Sequence, residues 1–215
     1  MKSKRIIMSL VGVIITALSI GAFKYAAFGV DPFQSFMSGI DTLIPINFGT
    51  LYVAVNAILL LFALVFDRHY IGIATLLNLF LLGYVVEFTL GILNALIPEP
   101  TLFIRAAFFL FGFLFLCIGS SLYMSADLGV STYDAIALVC ANKWRLGKFK
   151  VVRICTDITC IGMGIITYLI SGSPANGISS FVGIGTIFTA FFMGPLIDLF
   201  NRILSVPLLQ SKESL

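Results

Sequence analysis

The sequence predicts an all-α membrane protein with six transmembrane helices and two short amphipathic or re-entrant helices, arranged as an inverted-topology internal repeat. Three observations predict it. The 215 residues are 60% hydrophobic and only 11% charged, with a mean hydropathy of +1.09; a soluble domain carries about twice that charge. A signal for ending one helix and starting another occurs twice, as Phe28-Gly29-Val30-Asp31-Pro32-Phe33-Gln34 and as Leu128-Gly129-Val130-Ser131-Thr132-Tyr133-Asp134. Around that signal the chain aligns with itself at an offset of 100 residues, and further on at 111.

Each copy of the signal ends a membrane helix at a glycine, turns, and opens a short helix. Asp31 with Gln34, and Ser131 with Asp134, have the spacing of a capping box. In such a box the first side chain accepts from the third helical N–H, and the later one reaches back to the cap's own N–H. Pro32 takes the first helical position, where its missing N–H costs nothing.

The first apolar run, 6–28, follows Lys2, Lys4 and Arg5. It exceeds a signal-peptide core and lacks a small-residue cleavage site before a polar domain, so it reads as a retained span. Lys24, near its far end, is placed to snorkel outward. Residues 32–44 put Phe33, Phe36, Met37 and Ile40 on one helical face and Gln34, Ser35, Ser38 and Asp41 on the other. That is an amphipathic helix too short to span. Spans follow at 50–66 with Asn56, at 71–97 with Glu87, and at 102–124. The second cap opens a short helix over 132–141, and Lys143, Arg145, Lys148, Lys150 and Arg153 cluster around the start of span 151–170, which carries Asp157. A Gly/Ser/Pro loop leads to span 181–204, which holds Asp198. The first repeat is thus 1–100, the second 101–207, and 208–215 is a polar tail.

The offsets carry matched residues. Arg5 meets Arg105, Gly12 meets Gly112, Phe23 meets Tyr123 and Gly29 meets Gly129; on the longer offset Gly72 meets Gly183, Thr75 meets Thr186, Gly83 meets Gly194 and Glu87 meets Asp198. Each half holds three spans, an odd number, so the second half enters the membrane from the opposite side. With both termini in the cytoplasm, the cytoplasmic segments collect nearly all the Lys and Arg, and Arg105 is the exception outside.

The run Tyr123-Met124-Ser125-Ala126-Asp127-Leu128-Gly129-Val130-Ser131-Thr132-Tyr133-Asp134, with Val182-Gly183-Ile184-Gly185-Thr186 and Gly194-Pro195, resembles the YczE/YyaS/YitT group of bacterial membrane proteins. The resemblance covers nearly the whole chain and favours the YczE-like branch, because the soluble C-terminal domain of YitT relatives is missing. It implies the fold and a bacterial inner-membrane location, and it supplies no substrate. The first half departs from the pattern, with Ala27 at the position of Asp127 and Gln34 at that of Asp134.

Ionisable residues within spans point to function by default. The substrate-binding candidates are Asn56, Glu87, Asp134, Asp157 and Asp198, and the short-helix caps are Asp31, Gln34, Ser131 and Asp134. Glu87 and Asp198 are expected at the levels of the two short helices, as paired half-sites facing opposite sides. The plainer alternative is that the acids cap helix N-termini or pair with Lys24 and Arg153. Gly72, Gly83, Gly183, Gly185 and Gly194 are expected to permit close helix contact, and Trp144 to anchor at the membrane surface.

Enzyme chemistry finds no motif: His69 is the sole histidine, and HExxH, GxSxG and Walker patterns are absent. Cys117, Cys140, Cys155 and Cys160 lie in apolar stretches without ligand spacing. No metal, cofactor or nucleic acid is expected. The expected partners are the lipid bilayer and an unidentified small solute, with a second copy in a homodimer as the further candidate. The function expected first is a secondary transporter for a small polar, zwitterionic or cationic solute. The alternatives are a channel with two re-entrant half-helices and a membrane regulator docking through loop 143–153.

Overall fold

The computed structural model describes residues 2–147, 149–172, 175–180 and 182–210. Lys148, Phe181 and the tail residues 211–215, with Lys212, lie outside the described residues, as does the side chain of Lys150. Among the described residues six stretches are long and apolar enough to cross a membrane. They correspond to α1 (Lys2–Ala26), α3 (Phe48–Phe66), α4 (Ile73–Leu96), α5 (Leu102–Ser125), α7 (Phe149–Ile170) and α8 (Ile184–Phe200) with its continuation. The short helices are α2 (Pro32–Asp41) and α6 (Thr132–Leu138).

Helices α1 and α5 form the centre, running antiparallel with small residues at the crossing. A Cβ on Gly12 would lie 2.7 Å from the Gly119 carbonyl oxygen, and one on Gly112 would lie 3.2 Å from that of Ser19. The arginine that opens each helix ends the other. Arg105 Nε donates to the Ala26 carbonyl at 2.7 Å and its Nη2 to that of Ala27 at 2.8 Å, while Arg5 Nη1 donates to the Ala126 carbonyl at 3.3 Å. Carbonyls left over at a helix C-terminus are thereby satisfied by a cation, the sign the helix dipole favours there.

Both helices end in the same conformation. Ala27 and Asp127 are left-handed, with φ of 52° and 53°, and Gly29 and Gly129 follow at 104° and 106°. Each turn is then tied to the span opened by a glycine in the other half. The Phe28 carbonyl accepts from Gly185 N–H at 2.7 Å, and the Leu128 carbonyl accepts from Ala74 N–H at 3.0 Å. A Cβ on Gly72 would stand 1.9 Å from the Leu128 oxygen, and one on Gly183 would stand 2.5 Å from that of Phe28. Those approaches exist only because both residues lack side chains.

Several boundaries shift from the expected ones. The first span stops at Ala26, not residue 28, where the left-handed turn begins. Helix α2 ends at Asp41, short of 44, because Pro45 bars Ile44 from helical geometry and the Thr42 hydroxyl takes up the Gly39 carbonyl at 2.7 Å. Helix α6 is shorter than 132–141 and gives way to a π turn over Val139–Lys143. The last span starts at Ile184 and passes through a second π turn, Asn201–Ser205, into the terminal α9 (Val206–Gln210). That turn is held on α5: the Asn201 Oδ1 accepts from the hydroxyls of Ser121 at 2.7 Å and Ser125 at 3.0 Å. Of the glycines expected at contacts, Gly83 and Gly185 are in them, but Gly194 has open space where a Cβ would go, since that part of α8 faces outward.

Candidate functional site

The two short helices start from the repeated turns. The Asp31 carboxylate accepts Gln34 N–H at 3.2 Å, and the Ser131 hydroxyl accepts Asp134 N–H at 3.0 Å. Neither closes into a reciprocal box. Gln34 Oε1 is buried without a partner, and the Asp134 carboxylate accepts from the Ser131 hydroxyl at 2.7 Å instead.

The two helix starts meet each other. Phe33 and Tyr133, which occupy equivalent positions in the two signals, stack with ring centroids 4.9 Å apart and planes 20° apart. They meet level with the middle of α3, because the Thr132 hydroxyl donates to Asn56 Oδ1 at 2.5 Å. Asn56 is 1% exposed and donates through its Nδ2 to the Tyr52 carbonyl at 2.8 Å; the Tyr52 hydroxyl donates to Asn78 Oδ1 at 3.1 Å. From this meeting point the helices diverge. Helix α6 leads to Trp144, which packs edge-on against Phe62 and Phe66 at the end of α3. Helix α2 runs past the last third of α7, where a Cβ on Gly39 would lie 2.4 Å from the Gly164 oxygen.

Arg153 gathers the charges on the α6 side. Its guanidinium pairs with Asp134 through Nη1, lies 3.2 Å from Asp157 Oδ1 through Nε, and covers the Tyr133 ring at 4.4 Å. The Tyr133 hydroxyl donates to Asp157 at 2.6 Å and that of Tyr123 to Asp134 at 3.1 Å. The side chains of Arg153, Asp134 and Asp157 are 29%, 18% and 22% exposed, so the protein does not seal the network off completely. Chemically, it is a set of hydrogen-bonding groups with more acid than base and no nucleophile poised against a general base.

A second cluster lies between the far part of α1 and the start of α3. Lys24 does not reach outward; its ammonium sits 3.1 Å over the centre of the Phe48 ring. Glu87 Oε2 accepts Gly49 N–H at 3.1 Å and so takes up a free donor of the first turn of α3. Burial pushes the Asp41 carboxyl above its ordinary range, against the opposing pull of Lys24.

The structure therefore brings together Asn56, Asp134 and Asp157 with the caps Asp31 and Ser131, and places Glu87 in the other cluster. Asp198 joins neither. It is exposed on α8, one turn before Asn201, with no side-chain partner among the described residues, so Glu87 and Asp198, expected as matched half-sites, stand in different surroundings. One capped a neighbouring helix; the other found nothing to cap. Pairing of the acids with Arg153 holds for Asp134 and Asp157. Tyr133, Thr132, Tyr52 and Tyr123 escaped a search for charges, although Thr132 and Tyr133 stand inside the repeated signal. Among the described residues no three acidic, histidine or cysteine side chains group as metal ligands.

Comparison with known proteins places the chain. Residues 3–202 match the family of unknown function DUF6198, and the chain belongs to that family. It is 27% identical over 202 residues to the uncharacterized membrane protein YczE of Bacillus subtilis (strain 168), covering 92% of this chain and 85% of that protein. It is 29% identical over 136 residues to an uncharacterized protein of Haemophilus influenzae (strain ATCC 51907 / DSM 11121 / KW20 / Rd), covering 63% of this chain and 55%, about half, of that relative's length. No solved structure matches. The protein is thus a multi-pass membrane protein of the YczE-like kind.

Proposed function

We propose that this DUF6198 member is a small secondary transporter that moves a small polar, zwitterionic or cationic solute across the bacterial inner membrane. In this reading residues 1–100 and 101–207 are inverted halves, α2 and α6 are re-entrant, and access alternates between the two sides. The observation that carries the reading is the Phe33–Tyr133 stack at the depth of Asn56. Irregular backbone at membrane depth is tolerated where it is buried in protein or lines a cavity, and transporter sites form where broken helices meet near the midplane.

The inverted relation is supported by the antiparallel α1 and α5 and by contacts that recur with the halves exchanged: Arg105 to Ala26 as Arg5 to Ala126, and Gly185 to Phe28 as Ala74 to Leu128. The excess of Lys and Arg in the segments that would be cytoplasmic supports both termini inside. No catalytic step is assigned to the site.

Uptake into proteoliposomes of a radiolabelled panel of amino acids and amines tests this. At least one solute enters with saturation, and Asp157→Asn abolishes its uptake, whereas Asp198→Asn leaves it intact. Equal uptake by both variants contradicts the assignment. The same meeting of helix starts supports a second reading, a channel, and flux that fails to saturate favours it. A docking role for loop 143–153 draws less support, because the Lys143 ammonium is already bonded to the Phe66 carbonyl at the end of α3.

A further inference from the structure

The two helix starts differ in how their acceptors are used. Asp134 is satisfied by Ser131, Tyr123 and Arg153, and Asp157 by Tyr133 and Arg153. Arg153 is thereby occupied twice. Asp31 has only backbone donors: it accepts from Gln34 N–H, with the Phe33 N–H beside it, and although it feels the charge of Arg153 it forms no ion pair among the described residues. On the turn that Asp31 caps, Gln34 is 2% exposed and its Oε1 has no donor. A buried amide oxygen without a donor is a cost that a folded protein rarely carries without a use. With both arginine-bound acids counted, the cluster holds three carboxylates, Asp31, Asp134 and Asp157, against the single guanidinium of Arg153.

We propose that Asp31 and Gln34 form the recognition point for a small monovalent cation bearing N–H donors, an ammonium or primary amine. The inference rests on the transporter site above and names its substrate class. The carboxylate supplies the opposite charge, the Gln34 amide oxygen receives an N–H, and the aromatic walls suit a cation. Phe33 lies between Asp31 and Gln34 in the chain, and its ring is met by Tyr133 at 4.9 Å and by Tyr52 edge-on at 6.0 Å. An anion finds a carboxylate already seated at this helix start.

The test uses the full chain in lipid nanodiscs and reads thermal stability at fixed pH and ionic strength. Methylammonium is titrated against tetramethylammonium, which has no N–H, and against sodium. Methylammonium is expected to raise Tm with saturation, and the other two are not. Asp31→Asn retains a good N-cap and is expected to weaken the apparent affinity about tenfold or more, the loss of a charge-assisted bond. Gln34→Leu removes the saturable shift while raising Tm without ligand, because an unpaired buried amide is replaced by an apolar group. Equal stabilisation by methylammonium and tetramethylammonium, stabilisation by sodium instead, an unchanged affinity in both variants, or no saturable shift with any cation overturns the proposal. Saturable binding of methylammonium without uptake into liposomes would leave the recognition site standing and remove the transporter reading, so the two fail separately.

Discussion

The turn at 26–34 and the turn at 126–134 share a backbone and differ in chemistry. Both run through a left-handed residue and a glycine, both have their carbonyls taken by an arginine of the opposite central helix, and both bond a span of the other half. In the second turn the side chains then lock together through Ser131, Asp134, Tyr133 and Arg153. In the first, Asp31, Phe33 and Gln34 stand at the matching positions, and an acceptor is left open. Backbone geometry is repeated where both halves must fold alike. Side-chain chemistry diverges where the halves meet, and a division of labour follows: one helix start is pinned by charge, the other is kept free to bind.

Breaking the shared part has the largest effect. Gly72→Ala and Gly183→Ala would drive a methyl to 1.9 Å and 2.5 Å from carbonyl oxygens of the opposite turn. Each is expected to cost about 3 kcal/mol or more, with loss of folded protein on detergent gel filtration. Gly162→Ala, where a Cβ has open space, is the control and remains near wild type.

Breaking the divergent part comes next. Arg153→Met leaves Asp134 and Asp157 without their cation and is expected to lower stability by about 2 kcal/mol, less than a fully buried pair because the network is partly exposed. Adding Asp134→Asn and Asp157→Asn recovers most of it in thermal unfolding. Asp31→Asn, which strands no cation, shifts stability by less than about 0.5 kcal/mol. A smaller effect sharpens the comparison at 27 and 127. Ala27→Gly relieves a left-handed alanine and gains about 1 kcal/mol, whereas Asp127→Gly gains less, since aspartate tolerates that conformation better. Equal gains at the two positions would mean that the turns carry the same strain.

Much of the architecture was legible in the chain itself. Hydropathy located the six spans, and the duplicated Gly-Val pairs located both turns to within about two residues. The site was legible only in pieces. Periodicity shows which face of residues 32–44 is apolar, but it does not show that the two short helices begin beside each other and beside the middle of α3, which the Thr132–Asn56 and Phe33–Tyr133 contacts do. Arg153 stood in a row of basic residues that the positive-inside pattern already explained, and its spacing of four from Asp157 was the signal that it faces inward. Asp198 shows the limit of sequence equivalence. Sequence equivalence with Glu87 implied an equivalent environment, but Glu87 has the start of α3 to cap, while Asp198 has no side-chain partner among the described residues.

The inverted relation of the halves is the central claim, and cysteine accessibility in whole cells tests it most directly. With Cys117, Cys140, Cys155 and Cys160 replaced, single cysteines go in at Glu99, Trp144 and Asn176, and intact cells are treated with an impermeant thiol reagent. Inverted halves predict labelling at positions 99 and 176 and protection at 144 until the cells are opened. Positions 99 and 144 on the same side of the membrane would mean that the short helices cross it and that the halves run parallel.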